Sequence, residues 1–129
     1  MLRNGFLIDN RQFTKADELN FQTALMKVQM SLEDIWLEYC ISSLDRPTVI
    51  ICDRGIMDGY AYTNKETWQL ILDEQGWNQI HLRDRRYEAV IHLVTAADGA
   101  DRFYDYGDQS TNNARYEGLE EAKVVDRKL

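Results

Sequence analysis

At 129 residues the chain has room for about one domain, and its 44% hydrophobic and 29% charged residues are ordinary for a globular protein. No window approaches the roughly 18 consecutive apolar residues of a membrane span, and MLRNGFLIDNRQF lacks the basic-then-apolar order of a signal peptide, so a cytoplasmic location is expected. A formal charge of -7 excludes general nucleic-acid binding, which relies on a positive field to displace counterions, but leaves local basic clusters free to hold one phosphorylated ligand.

Residues 1–16 are polar and weakly patterned. The stretch DELNFQTALMKVQMSLEDIWLEYCISSL then places Phe21, Leu25, Val28, Leu32, Ile35, Trp36 and Tyr39 on the stripe of an amphipathic helix. Asp17 is its expected N-cap, and Pro47 ends it by pushing Arg46 out of the helical region. Next, TVIIC (48–52), with four β-branched residues in five, predicts a strand buried on both faces of a parallel sheet, a buried helix segment being the alternative. Asn64 is placed to cap a helix through KETWQLILDEQ that Gly76 ends. HLRDRRY is polar and basic, with Arg83, Asp84, Arg85 and Arg86 forming a solvated, self-paired loop in the simplest reading. YEAVIHLV (87–94) is a second strand candidate, TAADGADRFYD a loop opening a short helix, and RYEGLEEAKVVDRKL a last helix weakened by Gly118. The order helix, strand, helix, strand, helix predicts an α/β architecture with parallel strands and right-handed crossovers.

In open α/β sheets ligands bind beyond the carboxyl ends of the strands, where Asp53-Arg54-Gly55 would fall. A carboxylate there holds a magnesium ion or accepts a proton from an attacking hydroxyl. The arginine fork suits phosphate oxygens, and Gly55 permits close approach of backbone to ligand or a positive φ. The plainer alternative is a surface Asp-Arg pair after a core strand. Asp58 reads as a second acid at this edge or as a helix cap.

Other chemistry-bearing residues have structural readings. His92 lies within an apolar run, as a satisfied core histidine would, and no neighbouring ligand at metal spacing supports a transition-metal site. Trp36, Trp68 and Trp77 read as core or core-edge anchors, and Met26 and Met30 as part of a helix stripe. Cys40 and Cys52 match no zinc or redox spacing and read as reduced core residues.

Three separated segments, ICDRGIMDGYAY, LRDRRYEAVIHLVTAADGADRFY and NNARYEGLEEAKVVD, together resemble the nucleotide-binding domain of the TRPL translocation defect protein family. That domain is similar to the P-loop kinase (AAA-type ATPase) domain of NadR-type ribosylnicotinamide kinases, and the resemblance spans roughly residues 2–128. It implies a P-loop NTPase of the nucleotide-kinase type, a three-layer α/β fold with a parallel sheet, with its core over 17–104 and a lid-like segment and helix over 105–129. It also implies roles. Asp53 corresponds to the acid that assists the metal or the phosphoryl acceptor, Arg54 to a phosphate or substrate contact, and Arg115 to a lid arginine, with Glu117 and Asp126 in its surrounding pattern. Arg83 and Arg86 are further candidates for anionic ligands.

The glycine-rich GxxxxGK[ST] loop that cradles phosphates in such domains does not occur among the seven scattered glycines. The resemblance therefore leads us to expect a domain truncated at both ends, lacking its N-terminal strand, P-loop and first helix, with weak or no turnover. Neighbours of the missing strand would expose apolar faces and unpaired ladder groups, favouring aggregation or pairing with another copy. The implied ligands are a purine nucleoside triphosphate with Mg2+. The resemblance also links the protein to phosphoinositide binding and membrane trafficking, the phosphoinositide being expected through a C-terminal domain that these residues do not include. Three functions stay open: a GTP- or ATP-binding regulatory protein, a small-molecule kinase acting on a nucleoside-like alcohol with Asp53 as base, and a structural relic without ligand.

Overall fold

A computed structural model describes residues 14–43, 45–104 and 118–129. Five helices make up its regular structure: α1 (Lys15–Ser43), α2 (Asp58–Ala61), α3 (Lys65–Gln75), α4 (Gln79–Asp84) and α5 (Leu119–Asp126), with a 3-10 turn at Asp101–Phe103. Among the described residues there is no β-strand. This overturns the expected α/β P-loop NTPase fold with its parallel sheet. Residues 48–52 and 90–94 do run as irregular chain without helix, but neither has a ladder partner among the described residues, and Ile51 and Ile91 are 90% and 86% exposed. β-Branched content describes what a pleated, half-buried surface would accept. A strand also needs a neighbour to take its N–H and C=O groups, and propensity supplies none.

Local signals set the helix ends. At the start of α1, Asp17 Oδ2 accepts from the Thr14 backbone N–H at 2.9 Å while Thr14 Oγ1 accepts from the Asp17 N–H at 3.2 Å. This reciprocal box makes Thr14 the cap and Asp17 its third-position partner, one turn displaced from the expected arrangement. Asn64 caps α3 as its sequence predicts, accepting from Thr67 N at 2.8 Å. Gly76 closes α3 at φ 65°, a left-handed conformation that costs other residues more, and the Trp77 amide folds back onto the Leu72 carbonyl. Asn78 then caps α4 through His81 N at 3.1 Å, a helix within the segment read as a basic loop. Gly118, read as a weak point inside the last helix, is instead its N-cap.

The core is small. Met26, Ile56, Trp68, Ile71, Leu72 and Leu82 form its buried cluster, with Leu19, Met30, Met57, Tyr60, Trp77 and Tyr87 packed around it. Trp68, Ile71 and Leu72 come from one face of α3, at the i, i+3, i+4 spacing that a helix needs to cover a partner. The indole of Trp68 lies edge-on to Tyr60, 5.6 Å between centroids, and its Nε1 donates to Gln79 Oε1 at 3.3 Å. Trp77 sits at the core margin as expected, but Trp36 is exposed. Cys40 and Cys52 are free thiols, half-buried and exposed respectively, so Cys52 is not a core residue.

The face that α1 buries is the main surprise. Its sequence stripe of Leu25, Val28, Leu32, Ile35, Trp36 and Tyr39 is exposed, and Gln22, Thr23 and Met26 are buried in its place. Gln22 Oε1 and Thr23 Oγ1 have no hydrogen-bond partner among the described residues, at a cost of about 1–3 kcal/mol each. Further along, the same side of α1 carries Gln29, Met30 and Glu33, which set the geometry of the turn at Asp53. Among the described residues no helix is long and apolar enough to cross a membrane.

Candidate functional site

The turn at residues 53–55 is held in a conformation its own sequence does not prefer. Arg54 has φ 80°, the one non-glycine positive φ among the described residues. Such backbone costs on the order of 1–3 kcal/mol and persists only where surrounding bonds dictate it. Here they do. Gln29 Nε2 donates to the Arg54 carbonyl at 2.9 Å, and the next amide, Ile56 N–H, donates to Tyr87 Oη at 2.8 Å. Both anchors trace to one acid of α1: Glu33 Oε1 accepts from Tyr87 Oη at 2.9 Å and from Gln29 Nε2 at 3.1 Å. Burial raises the Tyr87 hydroxyl well above its ordinary range, so it stays protonated and donates.

Beyond this frame the strained residue projects a cation. Arg54 Nη1 donates to Tyr62 Oη at 3.0 Å, its guanidinium lies 5.4 Å from the Tyr62 ring centroid, and Asp58 Oδ2 is 4.0 Å away. With 59% of its side chain exposed, Arg54 retains donors directed at solvent. Burial raises the Asp58 carboxyl above its usual range; Arg54, the Gly55 amide and His92 pull it down, and Asp53 pushes it further up. Asp58 opens α2 within its first turn but does not cap it, since no side-chain cap bond is made there. Asp53 is exposed and makes no hydrogen bond among the described residues. A Cβ on Gly55 would stand 3.6 Å from Asp58 Oδ1 and 3.7 Å from the Tyr87 ring, ordinary contacts, and Gly55 has no positive φ; the unusual conformation has passed to its neighbour.

The remaining candidate residues separate. Arg86 is spent on structure, with its Nε bonded to Glu33 Oε2 and its Nη2 donating to Met30 O at 2.8 Å and Asp34 Oδ1 at 2.7 Å. Its fork is filled by two carboxylates and a carbonyl. Arg83 is paired with its neighbour, Nε to Asp84 Oδ1 at 2.5 Å and Nη2 to Oδ2 at 2.9 Å. Arg115 and Glu117 lie outside the described residues. Among the described residues, Asp53 and Arg54 are exposed and Gly55 is half-buried.

His92 belongs to this neighbourhood and not to a core. Its Nε2 lies 3.2 Å from Asp126 Oδ1, which also accepts from Thr95 N at 2.9 Å, fastening α5 to the 90–95 segment. The bonds from His92 and from the Thr95 amide hold the Asp126 carboxyl below its ordinary 3.8. A depressed carboxylate contributes stability that is present above its unfolded value and is lost as pH falls through the folded one. Asp126→Asn is therefore expected to lower the urea midpoint at pH 7 and to matter progressively less below about pH 4. An equal deficit at pH 7 and pH 3 would show that the carboxylate charge is not the cause.

Sequence reasoning missed Gln29, Glu33, Tyr62 and Tyr87, which frame the turn. The bonds from Gln29 to Arg54, from Ile56 to Tyr87 and from Tyr87 to Glu33 span 25, 31 and 54 positions, beyond any local pattern. A magnesium ion keeps several waters and takes one or two carboxylates; at this turn Asp53, exposed and without a hydrogen bond among the described residues, is the acid that would hold it. Among the described residues no three His, Cys, Asp or Glu side chains gather as a complete metal cage.

No curated protein and no solved structure matches the chain. A family comparison does, pairing residues 5–129 with an AAA domain. That match takes in nearly the whole sequence, the strained Asp53-Arg54-Gly55 turn included, and by it the chain belongs to the AAA domain family of P-loop nucleotide-binding proteins.

Proposed function

We propose that this domain serves a regulatory nucleotide-binding protein, related to the TRPL translocation defect family and to NadR-type kinases, and that its Asp53-Arg54-Gly55 turn meets the phosphates of GTP or ATP. One observation carries the reading: Arg54 is kept at φ 80° by bonds from α1 and Tyr87 while its guanidinium stays half open to solvent. Strain maintained by three outside side chains is better explained by a task for the residue than by its own stability. In this reading Arg54 forks onto phosphate oxygens, and Asp53 orients a hydrated magnesium, which when bound neutralises phosphate charge. Tyr62 holds the guanidinium from behind. An exposed Asp53 also supports the kinase alternative, in which it takes the proton of an acceptor hydroxyl.

The test is an amide chemical-shift titration of the chain with GTP and ATP, with and without magnesium. The amides of Gly55 and Ile56 should shift, with a dissociation constant on the order of 1 mM, about 4 kcal/mol of binding, because the sequence has no glycine-rich cradle. Arg54→Ala should weaken this at least threefold, and Asp53→Ala should remove the magnesium dependence. Unmoved amides at several millimolar nucleotide, or an affinity unchanged in Arg54→Ala, would discard the assignment. Transfer of phosphate to a nucleoside, followed by phosphorus NMR, would select the kinase.

A further inference from the structure

α5 is attached to the rest of the chain differently from the other helices. Among the described residues α1 to α4 each bury at least one side chain, whereas α5 buries none: Leu119, Ala122 and Val125 are half-buried and Val124 is 50% exposed. Its N-cap, Gly118, makes no side-chain cap bond, and eight residues are too few for a helix to persist alone in water. Docking therefore leans on polar anchors. Asp126 Oδ1 accepts from the Thr95 amide at 2.9 Å and lies 3.2 Å from His92 Nε2, and Lys128 Nζ, just past the helix, donates to the Ala61 carbonyl at 3.5 Å. Both anchors end beside a residue that holds Arg54. Ala61 closes α2, and the next residue, Tyr62, accepts from Arg54 Nη1 at 3.0 Å. On the other side Asp58 stands 4.0 Å from Arg54; burial raises its carboxyl, and His92 is, with Arg54 and the Gly55 amide, among the groups that lower it.

We infer that α5 is a detachable strap: it undocks as a unit while the core stays folded, and its release is felt at the Arg54 guanidinium through Tyr62 and Asp58. The buried cluster of Met26, Ile56, Trp68, Ile71, Leu72 and Leu82 is built without any residue of α5, so the core survives its departure. A segment with few buried apolar side chains opens at a free energy well below that of global unfolding, and surface polar contacts, individually weak, suit reversible attachment. Asp126 leaves with the helix, and the imidazole of His92 then acts on Asp58 without that competing carboxylate. The Ala61 carbonyl loses Lys128 at the same moment, which frees the end of α2 that carries Tyr62. Both changes bear on groups that orient Arg54, and by reciprocity whatever fixes Arg54 biases α5 toward one of its two states. The inference stands on these docking contacts and does not depend on which anion Arg54 meets.

Native-state hydrogen exchange of the full chain, read residue by residue by NMR, tests this. The Ala122 amide, bonded to the Gly118 carbonyl at 2.9 Å, should be at least tenfold less protected than the amides of Ile71 and Leu72 in α3. Its rate should change little at low urea, because undocking exposes little surface. Asp126→Asn should speed exchange at Ala122 at least threefold and shift the amide resonances of Asp58 and Tyr62. Glu121→Gln, which removes a charge from the same helix at an exposed position, should leave those resonances in place. Equal protection in α5 and α3 overturns the inference, as does an Asp126→Asn chain in which α5 loosens while Asp58 and Tyr62 do not move. Shifts of the same size in Glu121→Gln would assign the effect to net charge and equally overturn it.

Discussion

Trp68→Ala should cost the domain about 3–5 kcal/mol, a large part of the roughly 5–15 kcal/mol that holds a typical domain folded. The indole is 2% exposed and stands at the centre of the buried cluster, between Met26 of α1, Ile56 after the turn, and Ile71 and Leu72 of its own helix. Its removal leaves a cavity bounded by Tyr60, which packs edge-on against it, and by Gly59, where an added Cβ would lie only 3.5 Å from the indole. These neighbours come from three helices and a turn, so the void cannot close by the shift of one element. Gln79 Oε1 also loses its donor, which ties α4 to α3. Urea unfolding followed by circular dichroism reads the loss. Trp68→Phe should cost less, keeping an aromatic ring beside Tyr60 while still giving up the bond to Gln79. A cost below 1 kcal/mol for the alanine variant would remove Trp68 from the core.

Glu33→Ala is the second large effect, about 3 kcal/mol. Glu33 and Arg86 side chains are 14% and 18% exposed, so the pair is desolvated and truncating one partner strands the other. Asp34 and the Met30 carbonyl remain to Arg86, which places the cost at the lower end for a broken buried pair. Two further losses follow: Tyr87 Oη no longer has its acceptor, and Gln29 loses the carboxylate that orients its amide. Both residues hold the backbone on either side of the strained Arg54, so the loss of stability should come with a relaxed turn. The readouts are a lowered urea midpoint and faster hydrogen exchange at Ile56 N–H. Arg86→Ala combined with Glu33→Ala should cost less than the sum of the two singles, because each single variant already breaks the shared contact. Additive costs would mean that the pair does not couple, and an unchanged Ile56 exchange rate would free the turn from α1.

What the sequence determined by itself was local. Asn64 and Gly76 delimit α3 because a cap and a left-handed residue act within one turn of the chain, whereas of its apolar residues Trp68, Leu70, Ile71 and Leu72 the fold buries three and leaves Leu70 exposed. The Asp53-Arg54-Gly55 turn was legible as a concentration of charge after an apolar run, and the AAA domain membership agrees with the coarse nucleotide-binding reading. Only the tertiary structure decided the rest. TVIIC and VIHLV have strand composition yet no ladder among the described residues, because pairing depends on a neighbour that composition does not specify. The apolar stripe of α1 was legible as a stripe, but which face meets the core was set by where α3 and the 85–87 segment come to lie. They select Met26, Met30 and Glu33 and leave Leu32 and Ile35 outside. Arg86 and Arg54 are both arginines in charged clusters and look alike in sequence. One is closed around Glu33 and Asp34, 53 and 52 residues away, and the other is held open by Tyr62 and strained by Gln29 and Tyr87. A side chain's chemistry is written in its residue type, but whether that chemistry is already spent depends on partners brought near only by folding.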